Sequence, residues 1–140
     1  MQIRVPTKES LIYDVAAGAV STVALSAALL SPPAFGKPLT LIALIALVVL
    51  TPISIARQRR GTANFALVSA SERRAYLIRD TALVFSMLAS VAAVFFLIYT
   101  SYPTPIRAGL GHLALLLAAV THATRVRLTM NHAARVSPTA

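Results

Sequence analysis

Residues 11–30 read LIYDVAAGAVSTVALSAALL, a run that is apolar apart from Asp14 and a few hydroxyl side chains. At 1.5 Å per residue, about 20 residues reach ~30 Å, the thickness of a bilayer's hydrocarbon core. Lipid supplies no partner for backbone N–H and C=O groups, so a continuous, non-alternating apolar run crosses it as a helix. Three more segments of this kind follow, at 39–55, 81–101 and 106–124, after the first at 11–31. The expected fold is therefore all-α: an integral membrane protein with four transmembrane helices in two antiparallel hairpins.

Composition agrees. Of 140 residues, 57% are hydrophobic and 12% charged, and the mean hydropathy is +0.75. A soluble domain carries about 25% charged residues, so half that fraction leaves too little polar surface for a water-exposed globule. Cysteine is absent, which excludes disulfides, thiolate metal sites and cysteine nucleophiles.

The connecting segments set the expected topology. The turns at 32–38, within SPPAFGKP, and at 102–105, within SYPTPIRAG, are short and proline-rich, so the helices they join are antiparallel neighbours. The other three segments are the tail 1–10, the loop 56–80 and the tail 125–140. Eleven of the 13 basic residues lie in or beside these three, Lys37 and Arg107 being the exceptions. The positive-inside bias then puts both termini in the cytoplasm and both tight turns outside. It also accounts for the net charge of +9 without nucleic acid, for which interleaved aromatic platforms are lacking. Arg4 and Lys8 before the first apolar run resemble the start of a signal peptide, but the run exceeds a typical h-region and reads as a retained helix.

The loop RQRRGTANFALVSASERRAYLIRD pairs Ser69 with Glu72 as a capping box, so the third helix is expected to start near Ala70, about two turns before Thr81. Arg57, Arg59, Arg60, Arg73 and Arg74 are expected to contact anionic headgroups or a partner. At an offset of 70, Ser31, Pro33 and Lys37 align with Ser101, Pro103 and Arg107, but the helix cores barely match, and duplication does not follow.

Asp14, Gly18, Thr22 and Ser26 recur every four residues, a small and hydroxyl-bearing stripe expected to face the bundle. Asp14 lies about one turn inside the membrane. The economical reading is a ring of cross-helix ion pairs among Asp14, Arg79, Asp80, Arg57 and Arg125 at the inner headgroups, with Tyr13 and Tyr76 nearby. The sharper reading makes Asp14 a proton- or cation-binding carboxylate, with Thr22, Ser26, Ser86, Ser90 and His112 lining a path. The shallow position of Asp14 favours the ion pair. His112 and His122 are ten residues apart, about 15 Å along a helix, so they do not ligate one haem or metal ion. No cofactor or metal is expected, since a haem would need a histidine from another subunit. Gly109 and Gly111 allow close packing, and Pro52 is expected to bend or end the second helix.

Walker, zinc-protease and serine-elbow motifs are missing, and there are four acidic residues in all. The chain therefore reads as non-enzymatic. Eleven arginines against two lysines, with abundant alanine, point to a GC-rich bacterial genome and hence to a cytoplasmic (inner) membrane. Expected partners are membrane lipids, including anionic headgroups, and other membrane subunits or copies of the chain itself. The expected role is an accessory or structural subunit of a larger complex. A homo-oligomeric transporter or channel with its path between protomers is the alternative, and a holin-like pore a weaker one.

Overall fold

A computed structural model describes residues 8–60, 70–100 and 102–136, the side chains at 8, 9, 33, 55, 57–60, 73 and 132–136 lying outside that description. The described residues form four helices: α1 (Lys8–Leu30), α2 (Pro33–Arg60), α3 (Ala70–Tyr99) and α4 (Thr104–Val136). Each contains a stretch long and apolar enough to cross a membrane, with mean hydropathy between 1.4 for α4 and 2.4 for α3. The described residues thus form an all-helical fold, with four helices able to span a bilayer.

The helices outrun the apolar segments. Only Ser31 and Pro32 separate α1 from α2, so Gly36, Lys37 and Pro38 are helical rather than part of a turn. Pro33 suits the first helical position, where a missing N–H costs nothing, and Pro32 O accepts from the Phe35 and Gly36 amides. Pro52 lies inside α2, which continues to Arg60, so it does not end the helix. At the far end α4 runs on through Arg125 to Val136, in a stretch free of proline and glycine up to Pro138.

The most extensive contacts join α1 to α2 and α3 to α4; between these pairs, α1 meets α4 most often. Two ends of the bundle can be distinguished: a turn end, with the 31–32 and 100–103 connections, and an open end, near Ser10, Ser54, Asp80 and Arg125. The hydrophobic core lies toward the turn end and is built from Ala24, Leu25, Ala28, Leu29, Ala43, Val94, Leu97, Ile98 and Leu115. Its alanines let backbones approach where dispersion and packing, not water exclusion, drive helix association. A Cβ on Gly111 would lie no farther than 3.0 Å from three carbons of the fully buried Leu29, which marks a close α1–α4 approach. Leu41, Ile42, Leu44, Ile45, Val48 and Val49 of α2 point outward, as do Leu113, Leu116 and Leu117 of α4. Such faces need lipid or another protein against them.

The open end is held differently. Ser54 Oγ donates to Ser10 O (2.9 Å), tying α2 to α1. Tyr76 on α3 lies 2.9 Å from Thr129 Oγ1 on α4. Thr129 Oγ1 also lies 3.1 Å from Arg125 O, to which it can donate.

Candidate functional site

Polar chemistry inside the spans concentrates on the seam between α1 and α4. At its open end His122 Nε2–H donates to Asp14 Oδ2 at 2.7 Å, with the side chains 39% and 24% exposed. Toward the turn end Ser26 Oγ and His112 Nε2 are 2.7 Å apart. His112 Nδ1 lies 2.7 Å from Ala108 O. A carbonyl only accepts, so Nδ1 carries the proton, and in the neutral ring Nε2 accepts from the Ser26 hydroxyl. The helix itself thus selects the tautomer, through an i−4 carbonyl.

Asp14 and Ser26 are twelve positions apart on α1, and their partners ten apart on α4, so the two contacts lie about 15–18 Å from each other. They form two separate clasps. Among the described residues, no group of three or more His, Asp or Glu side chains could hold a metal ion. A carboxylate and an imidazole at hydrogen-bond distance can hold or pass one proton; in this fold the pair also ties α1 to α4.

The four-residue stripe does not face the bundle as one row. Asp14 and Ser26 reach α4, but Gly18 and Thr22 between them are exposed, and a Cβ on Gly18 would meet nothing within 4 Å. The Asp14–His122 and Ser26–His112 side chains bridge the gap to α4 at the two ends of the row, and the short Gly18 and Thr22 between them leave it open. The middle of the seam is open and lined by small side chains.

The expected ring of ion pairs takes another form. Asp80 does pair with Arg125, Nε to Oδ1 at 2.6 Å and Nη2 to Oδ2 at 3.4 Å, joining α3 to α4. Asp14 pairs with His122 and not with an arginine, while Arg79 is exposed and bonds neither carboxylate. The side chains of Arg57, Arg59, Arg60 and Arg73 lie outside the described residues, as does Ser69 of the expected capping box; Arg74 is exposed. Ser90 is buried and donates to Ser86 O (2.8 Å), so its hydroxyl is spent on its own helix. No hydrogen bond among the described residues links Ser86 or Ser90 to the α1–α4 seam.

One functional-looking residue escaped the sequence reading. Arg107, taken as a turn charge, is 2% exposed. Its Nε donates to Leu29 O at 3.2 Å and its Nη2 to Ser31 O at 2.7 Å. Leu29 O lies in the last turn of α1, where carbonyls have no intrahelical partner and carry the negative end of the helix dipole, and Ser31 O lies just past it. The guanidinium fork of α4 therefore caps α1 across the pairs, next to the Gly111–Leu29 contact.

No protein-family model matches the chain, and no curated protein or solved structure is significantly similar to it.

Proposed function

We propose that the chain is a non-enzymatic accessory or structural subunit of a larger bacterial membrane complex. In this reading it sits in the cytoplasmic membrane as two antiparallel hairpins, with both termini inside. Antiparallel pairing is supported by the contacts of Ser10 with Ser54 and of Ala28 with Gly36 in the first hairpin. In the second it is supported by Tyr76 with Thr129 and Asp80 with Arg125. Orientation is supported by the eleven basic residues in or beside the segments 1–10, 56–80 and 125–140. Of the two at the turn end, Arg107 is buried on carbonyl oxygens, which leaves Lys37 as the one exposed charge there among the described residues.

The observation that carries the subunit role is the pairing of the polar groups. Asp14, Asp80, His112, His122, Arg125 and Arg107 each bond a group on another helix. What these contacts leave outward is a bilayer-length surface with an open small-residue seam at Gly18 and Thr22. Close backbone approach is how membrane helices associate, so this seam suits a partner helix better than a substrate. Lipids with anionic headgroups are the further partners the basic open end suits.

Native mass spectrometry after gentle detergent extraction from the host tests the role. Recovery of a stoichiometric set of unrelated polypeptides supports it. A homo-oligomer alone refutes it in favour of transport between protomers. That second reading is favoured by one observation: Asp14, Thr22, Ser26 and His112 are all at least partly exposed along the same seam. Selective flux in liposomes holding the purified protein alone would establish it.

A further inference from the structure

A cleft of about 390 Å³ opens between α2 and α3 at the turn end, lined by Lys37, Pro38, Thr40, Leu41, Leu44, Phe95 and Tyr99. Its mouth is built. Thr40 Oγ1 donates to Lys37 O (2.6 Å), which uses its one proton, so the Tyr99 hydroxyl, 3.1 Å away, donates to Thr40. This relay fixes the Tyr99 ring across the helix pair, and Lys37 Nζ stands 6.0 Å from the ring's centroid. Both hydroxyl protons are committed, so the polar group left to greet a ligand is the ammonium, a donor without acceptor capacity. Below it the walls are apolar: Leu41 and Leu44 lie outward on α2, and Phe95 packs against the core from α3. From Lys37 to Leu44 the cleft follows α2 for about 10 Å.

We propose that this cleft holds one anionic glycerophospholipid, its phosphate on the Lys37 ammonium and one acyl chain between Leu41, Leu44 and Phe95. Charge complementarity selects the class. A cation at the mouth of an apolar slot, at the end of a membrane span, matches an anion joined to a hydrocarbon tail. A soluble anion would leave the slot unfilled, and a zwitterionic lipid would set its own cation near Lys37. The proposal is independent of the subunit role, since it rests on α2 and α3 and not on the α1–α4 seam.

The test is native mass spectrometry of the full-length protein, released from vesicles of equimolar phosphatidylglycerol and phosphatidylcholine. The expected result is one retained lipid, enriched in phosphatidylglycerol on the order of fivefold, the factor one basic side chain contributes at an anionic surface. Lys37→Gln should abolish the enrichment and Lys37→Arg should keep it; position 37 is exposed, so neither endangers the fold. Leu44→Trp, which fills the slot, should remove the bound lipid of either kind. Arg127→Gln, at the open end, should change nothing. Wild-type protein that retains no lipid, or retains both equally, overturns the proposal. So does undiminished enrichment in Lys37→Gln, or displacement of the lipid by millimolar inorganic phosphate.

Discussion

Replacing Arg107 with methionine tests whether a buried cation joins the two helix pairs. The substitution keeps an unbranched stem of similar bulk and removes the fork that reaches Leu29 O and Ser31 O. Hydrogen bonds from a charged donor contribute about 1.5–3 kcal/mol each, so two of them set a gross loss of about 3–6 kcal/mol. Against this, methionine spares the fold the desolvation of a guanidinium, which is several kcal/mol after relaxation. The Leu29 carbonyl at the end of α1 and the Ser31 carbonyl just past it lose their donor, so the loss wins, at a net of about 2–4 kcal/mol. Arg107→Lys should fall between, because an ammonium is a point charge that does not span both carbonyls as the fork does. The assay is thermal unfolding in detergent, followed by the loss of the monodisperse peak on size-exclusion chromatography, with Arg127→Met as the control on the same helix. Arg127 is exposed, so its variant should stay within about 0.5 kcal/mol of wild type. If Arg107→Met melts with the control, the cap contributes nothing and the argument fails.

Asp14→Leu leaves the His122 N–H without its carboxylate and should cost about 2 kcal/mol, whereas Asp14→Asn keeps a carbonyl acceptor and should cost under about 1 kcal/mol; equal losses would refute the clasp. Gly111→Ala forces a methyl group into Leu29 and should destabilise by about 1–3 kcal/mol, while Gly18→Ala, with open space around it, should be neutral or slightly stabilising in the same melt. Gly18→Leu should leave the isolated protein folded but strip co-purifying polypeptides from it; unchanged recovery would remove the seam from the subunit argument.

The four spans were legible because a run of about 20 apolar residues has one stable fate in lipid. Where the helices end was not. Hydropathy reports the bilayer's thickness, but Pro33–Pro38 and Arg125–Val136 lie where propensity and capping decide, and there α2 and α4 extend beyond the apolar runs. The Asp14–His122 clasp was half visible. Asp14 precedes the end of α1 by sixteen residues and His122 follows the start of α4 by eighteen, so a similar depth from the turn end was available as a signal. Depth alone does not say which helices are neighbours, and an arginine is the commoner partner of a carboxylate. The burial of Arg107 had no signal in composition, because a basic residue in a proline-rich turn reads as solvated. Its acceptors are backbone atoms, which every residue possesses.

The cap at Arg107 also orders the making of the molecule in time. Leu29 and Ser31 leave the ribosome more than 70 residues ahead of Arg107, and chains begin to organise from the N-terminal end during synthesis. The acceptor carbonyls can therefore be in the bilayer before the cation that needs them is made. A guanidinium arriving alone at the membrane faces an insertion penalty of about 2.5–3.5 kcal/mol at mid-span, less nearer the surface. One arriving beside the finished end of α1 finds hydrogen-bond acceptors waiting. The first half of this protein thus serves as the docking template for the second, and a copy truncated after α2 has already made everything that Arg107 will later require.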